Sequence, residues 1–329
     1  RQKQCAWPVY APISGVSQHM MLMATSPLAM LSAQDDPVLQ LMAAQNFVQR
    51  KFGHLLSLPQ HFAPHRLALH KATKHRTELG AEIGTEIGTT TSPPEYPPRR
   101  LRIGYLGGNL CVHAVGLLLA DVLEHQDHER FESHVFCYSS EDGTAYRQRL
   151  LDCFDKVHRI STLDDQQAAD LIASCEIDVL IDLHGLSDGV RAGILARRLA
   201  PVQIGWLGFM GTTALPFIDY LIADRFSLQE NQQHWYSETP LYLTRSVLPL
   251  SRRDSPTKQQ PRNEFGLPHN TFVFACLNNT YKINPEVFNC WVQILQAVPN
   301  SVLWLVDDNE SATRNLKEAA THAGIAAAR

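Results

Sequence analysis

The chain has 329 residues and a mass of 36.9 kDa, a length that suits about two domains. Hydrophobic residues make up 44% and charged residues 19%, which excludes wholesale disorder, collagen and coiled coil. Lys plus Arg number 29 and Asp plus Glu 33, a net charge of −4, so a chain-wide basic surface for nucleic acid is absent.

Residues 1–80 read as a helical lead-in segment. Val38–Phe52 has helical apolar spacing after the start signal Asp35-Asp36-Pro37. His61 and His65 stand four apart, but Pro59 and Pro64 interrupt the run, so a solvated His-rich surface is favoured over a metal site. Residues 81–98 form a linker in which Pro93, Pro94, Pro97 and Pro98 forbid regular structure.

Beyond the linker the pattern becomes strand–helix alternation. Strands are expected at 101–106, 134–138, 156–160, 177–183 and 202–207, with helices at 115–124, 144–154 and 164–175. The run Ile177–Leu183 is almost wholly apolar, as a strand covered on both faces should be. This grammar predicts an α/β lobe with a parallel sheet over residues 99–250. A polar inter-lobe linker follows at 251–261. A second α/β unit then opens at residue 262, with strands at 272–277 and 302–306 and helices at 285–297 and 312–323. It stops where a doubly wound domain is expected to continue, so the sequence reads as a C-terminally truncated piece of a longer chain.

No run approaches the roughly 18 apolar residues of a membrane helix, and no membrane partner is expected. Seven cysteines, odd in number and without a CxxC pair, argue against a disulfide framework or a zinc site and point to a reducing cytoplasm.

In α/β sheets, sites gather at the carboxyl ends of strands. Four such loops stand out. Gly107–His113 leads into a helix start; His113 there is a general base, a sugar contact or a plain cap. Asp182–Gly185 is a cleft marker or equally a turn. Gly205–Thr213 combines three glycines with aromatics, suited to holding a flat polar ligand or to a tight connection. Asn278–Pro285 places Lys282 just before a helix start capped by Asn284, an anion site suited to phosphate.

At these loops the sequence resembles the catalytic region of the protein O-linked N-acetylglucosamine transferases, the SPINDLY-type proteins of glycosyltransferase family 41. The stretches that carry the resemblance include LRIGYLGGNLCVHAVG, FCYSSEDGTAYRQRL, LAPVQIGWLGFMGTTALPFIDYLIAD, YSETPLYL and NNTYKINPEVFNCW, in order over residues 101–306, with a weaker match at Cys5-Ala6-Trp7. The resemblance implies a GT-B fold of two Rossmann-like lobes, the second incomplete here, after tetratricopeptide repeats. It implies inverting transfer of N-acetylglucosamine from UDP-GlcNAc to Ser or Thr hydroxyls of proteins, without a metal or other cofactor. No DxD occurs at a loop after a strand.

By position, the resemblance makes His113 an active-site histidine and Lys282 the lysine on the donor diphosphate. It places Asn279 and Tyr281 in the nucleotide loop and Gly208, Phe209, Met210 and Gly211 in the sugar loop. Asn109 and Leu117 depart from the aspartate and histidine of animal members, and Asn279 stands where they have glutamine. The family's His-Thr-Thr loop would lie beyond Arg329, so activity is expected of the longer parent rather than of this piece. Another donor such as GDP-fucose, and a non-catalytic scaffold, are the competing readings. A two-lobed small-molecule binding protein ranks last, since it gives Lys282 no role.

Overall fold

The computed structural model describes residues 1–62, 99–250 and 260–329. The linker at 81–98, most of that at 251–261, and His65 lie outside the described residues. The chain divides into two compact units, Ala44–Ser251 and Arg1–Ala43 with Arg252–Arg329. The division falls inside helix α3 (Pro37–Phe52) rather than at the proline-rich linker. Among the described residues, no helix is long and apolar enough to cross a membrane.

The larger unit is built on a seven-stranded sheet: β1 (Leu101–Gly107), β2 (Phe131–Cys137), β3 (Lys156–Arg159), β4 (Val179–Asp182), β5 (Val202–Gly205), β6 (Tyr220–Asp224) and β7 (Thr239–Leu243). Every neighbouring pair is parallel, in the order β3-β2-β1-β4-β5-β6-β7. Helices α4 (Ala114–Glu124), α5 (Ala145–Asp152), α6 (Asp165–Ser174) and α7 (Ala192–Leu195) lie between strands. The strand order reverses direction at β1, so the switch point lies between β1 and β4, where α/β sheets open a crevice.

Local sequence explains the helix starts. Thr144 accepts the Arg147 N–H, and Asp164 with Gln167 closes a reciprocal capping box on α6. Leu119, Leu123, Val135 and Leu150 fill the core on one face of the sheet. In the interior, Arg198 and Asp219, both fully buried, meet at 3.0 Å, and the same carboxylate accepts the Gln203 N–H at 2.9 Å. That pairing ties the β5 start to the β6 start, and removing one partner would leave a buried charge.

The strand expectations place five strands in this sheet; β6 and β7 add two. β7 alternates exposed and half-buried residues and contains Pro240. Proline lacks an N–H to donate and is confined to sheet edges, which is where β7 runs.

The smaller unit has a two-stranded parallel sheet, β8 (Phe272–Cys276) and β9 (Ser301–Leu305), with α8 (Pro285–Ala297) and α9 (Glu310–His322). Asn284 caps α8 by accepting the Val287 N–H, with Pro285 in the first helical position, as the sequence predicts. Its core gathers Ile283, Phe288, Val292, Leu295, Ala312, Leu316 and Ile325 around Cys5. Helices α1 (Gln18–Ala24) and α2 (Pro27–Ala33) belong to the same unit, so the front of the lead-in segment packs with residues from the far end of the chain.

Candidate active site

In the larger unit, three of the four expected loops leave the carboxyl ends of β1, β4 and β5, which are neighbours in the sheet. The loop after β1 is held from behind by the loop after β2 and by α5. Leu110 N–H donates to Ser139 Oγ at 2.8 Å, and Val112 N–H donates to Asp142 Oδ2 at 3.1 Å. Arg147, itself buried, donates to the Leu110 carbonyl and to Glu141 Oε2.

This places His113 at the N-cap of α4, exposed, with its Nδ1 accepting the Val115 N–H at 3.3 Å. The neutral ring therefore carries its proton on Nε2, and the free edge of His113 is a hydrogen-bond donor. Partial burial, and then the nearby His184, lower its pKa, so the ring is neutral near pH 7.

The loop after β4 is a turn closed on its own carboxylate. Asp182, fully enclosed, accepts the N–H groups of His184 at 3.1 Å and Gly185 at 2.9 Å; burial raises its carboxyl pKa. His184 is 3% exposed, donates from Nε2 to the Asp188 carbonyl, and keeps a buried Nδ1 without a partner. The ring of Tyr138 lies against it at 5.7 Å, and its hydroxyl is likewise buried and unpaired. Burial pushes that phenol upward. Buried polar atoms are nearly always paired, and here two unpaired ones, from the loops after β2 and β4, lie on neighbouring rings.

The loop after β5 presses on the loop after β4. A Cβ on Gly208 would stand 2.0 Å from the Leu183 carbonyl oxygen, so no other residue fits there without a backbone shift. Trp206 and Phe209 are buried, so these aromatics serve the core and do not form a stacking surface; Met210 is exposed. Gly211 is buried beside Thr212 and Thr213. Those two threonines are gripped by Glu238, 2% exposed, which accepts the Thr213 N–H at 2.7 Å and the Thr212 hydroxyl at 2.8 Å.

In the smaller unit, the loop after β8 forms a turn at Thr280–Lys282, ahead of α8. Asn279 Oδ1 accepts the Tyr281 N–H at 3.3 Å. Lys282 is exposed and its Nζ donates to Asn278 Oδ1 at 3.5 Å. The back of the loop is clasped by the N-terminal segment: Gln2 Nε2 donates to the Tyr281 carbonyl at 2.7 Å and the Ile283 carbonyl at 3.3 Å. The Thr280 hydroxyl lies 2.9 Å from both the Lys3 carbonyl and Asp308 Oδ2. Cys5 is buried under this turn, which pushes its thiol up to about 11.

The sequence-derived residues thus fall into two sets, His113 with Gly208–Gly211 on one unit and Asn279, Tyr281 and Lys282 on the other. Tyr138 and Glu238 escape a reading by spacing. Each lies inside a stretch that carries the family resemblance, which is the one signal pointing to them.

Loops of this kind on Rossmann-like parallel sheets define an α/β protein of the GT-B type. Residues 90–249 and 254–329 match the model of glycosyl transferase family 41, and the chain belongs to that family. It is similar to the probable UDP-N-acetylglucosamine–peptide N-acetylglucosaminyltransferase SEC of Arabidopsis thaliana, with 36% identity over 216 residues, 63% of this chain and 22% of the relative. The corresponding SPINDLY protein of Arabidopsis thaliana is 31% identical over 219 residues, 63% of this chain and 23% of the relative. Among solved structures, a Thermobaculum terrenum O-GlcNAc transferase mutant superposes with a TM-score of 0.72 at 27% identity, covering 92% of this chain and 52% of that one. The chain spans about a fifth of the length of these curated relatives.

Proposed function

We propose that this chain is part of an inverting glycosyltransferase that moves N-acetylglucosamine from UDP-GlcNAc to Ser or Thr hydroxyls of proteins. The observation that carries this is the family-41 match, which includes every loop described above. The printed names of the plant relatives add the donor sugar and the peptide acceptor.

In this reading the acceptor oxygen attacks the anomeric carbon from one face while the bond to UDP breaks on the other. Negative charge grows on the departing diphosphate. Lys282, with the amides of the turn and helix start around it, stabilises that charge where it develops. Asn279 and Tyr281 shape the same nucleotide loop. The backbone of Gly208, Phe209, Met210 and Gly211 takes the sugar, in a conformation set by Glu238.

For His113, the cap bond at Nδ1 favours one of the roles left open by spacing. A neutral imidazole whose outer nitrogen bears the proton donates a hydrogen bond to the donor's oxygens and is poorly placed to accept the acceptor's proton. His113 is thus read as a positioning donor. The free thiols, all seven unpaired, fit a reducing cytoplasm.

The test is transfer and UDP release by the full-length protein with a Ser/Thr peptide, comparing UDP-GlcNAc with GDP-fucose. GlcNAc on the peptide supports the reading. Fucose transfer replaces the donor. Donor binding without any transfer turns the protein into a scaffold.

A further inference from the structure

Away from the loops described above, the larger unit brings together two histidines and a cysteine that the proposed transfer reaction does not use. His134 on β2, His158 on β3 and Cys175 at the end of α6 each offer a donor atom, and these atoms lie within 4.8 Å of one another. We propose that His134 Nδ1, His158 Nε2 and Cys175 Sγ form a binding site for a zinc ion, with water in the fourth position.

Spacing between the donor atoms supports this. His158 Nε2 stands 3.3 Å from His134 Nδ1, and Cys175 Sγ stands 3.7 Å from His158 Nε2. In a tetrahedral zinc site the edges are about 3.3 Å between two imidazole nitrogens and about 3.6 Å between nitrogen and thiolate sulfur. Two of the three edges are therefore already at coordination length, and the third closes with a side-chain adjustment. Two imidazoles and one thiolate are a donor set that suits zinc and leaves it an open position.

The surroundings orient the ligands. Glu132 Oε1 accepts from His134 Nε2 at 3.0 Å, which fixes the tautomer and leaves the Nδ1 lone pair facing His158. That is the carboxylate–histidine arrangement found behind metal-ligating imidazoles. The His158 ring is stacked on Phe136 at 4.9 Å, which fixes its plane. Lys156 at 3.1 Å and Arg102 at 3.9 Å pair with Glu132. His134 is buried while His158 and Cys175 are half-buried, so the ion reaches the site from solvent. In the absence of an ion, His158 donates to His134 and the cluster is a hydrogen-bonded chain. Binding shifts the His158 proton from Nε2 to Nδ1 by exchange with solvent, releases the thiol proton to solvent, and ties β2, β3 and α6 together.

The experiment is titration of chelator-treated protein with Co²⁺, followed by displacement with Zn²⁺. The expected result is a thiolate-to-cobalt charge-transfer band that saturates at one ion per chain and disappears on adding Zn²⁺. Cys175→Ser should abolish the band, and Glu132→Gln should weaken binding about 10- to 100-fold. Absence of the band in the folded wild-type protein overturns the proposal. So does a band of equal strength in Cys175→Ser, since any of the other six cysteines would then be the ligand. Should Cys175→Ser fail to fold, His158→Gln and the wild-type titration decide in the same way.

Discussion

The two units hold their candidate loops by different means. In the larger unit, the loops after β1 and β5 are gripped by Ser139, Arg147 and Glu238, side chains within that unit whose own bonds are mostly buried. In the smaller unit, the Lys282 turn is held by Asp308, which follows β9, and by Gln2 and Lys3 from the N-terminal segment. A loop needs a rigid backing whatever its origin. In the larger unit it comes from segments of the same sheet, and in the smaller unit partly from a segment distant in sequence.

The contrast can be tested, from the largest expected effect to the smallest. Gly208→Ala forces a Cβ against the Leu183 carbonyl, and we expect a loss of about 3–4 kcal/mol in denaturant unfolding, together with lost transfer. A variant as stable as wild type would show that this loop contact is soft. Lys282→Ala acts on the other unit, where the side chain is exposed. It should cut kcat about 100-fold while leaving the melting temperature unchanged, and unaltered turnover would remove Lys282 from the reaction.

Glu238→Ala strips a buried acceptor from Thr212 and Thr213, at about 2 kcal/mol, with a raised KM for donor. Equal KM in that variant would separate the loop's stability from its function. Gln2→Ala removes two bonds to the Lys282 turn and should cost about 1 kcal/mol, read as a roughly fivefold rise in donor KM if that turn takes the nucleotide as proposed. If the same change lowered stability of the larger unit instead, by hydrogen exchange, the assignment of backing segments would be wrong.

The smallest effect is a shift on the pH axis. Since the folded His113 pKa is lowered, the ring stays neutral at pH values where an ordinary histidine, near about 6.5, takes its proton. Activity should then hold through that value and fall only as the pH drops further. At that point Nδ1 gains a proton and can no longer accept from Val115. An acid limb at or above the ordinary histidine value, lost in His113→Ala, would contradict a neutral positioning donor.

Much of this protein can be read without coordinates, for a physical reason. Apolar periodicity and capping are local properties, so β1, β4, α3 and α8 announce themselves, as does the Asn284 cap. The loops at strand ends follow from the alternation of elements, and so the positions of His113 at a helix start and Lys282 ahead of one are legible. β7 is lost because an edge strand carrying Pro240 has neither a buried stripe nor a full set of donors. Tyr138, His184 and Glu238 acquire meaning only when packing strips water from a hydroxyl, an imidazole nitrogen and a carboxylate. Likewise, His134, His158 and Cys175 are far apart along the chain and match no ligand spacing; parallel register and the end of α6 make them neighbours. The composition determines which elements form, while the convergence of distant polar atoms is settled by how those elements pack.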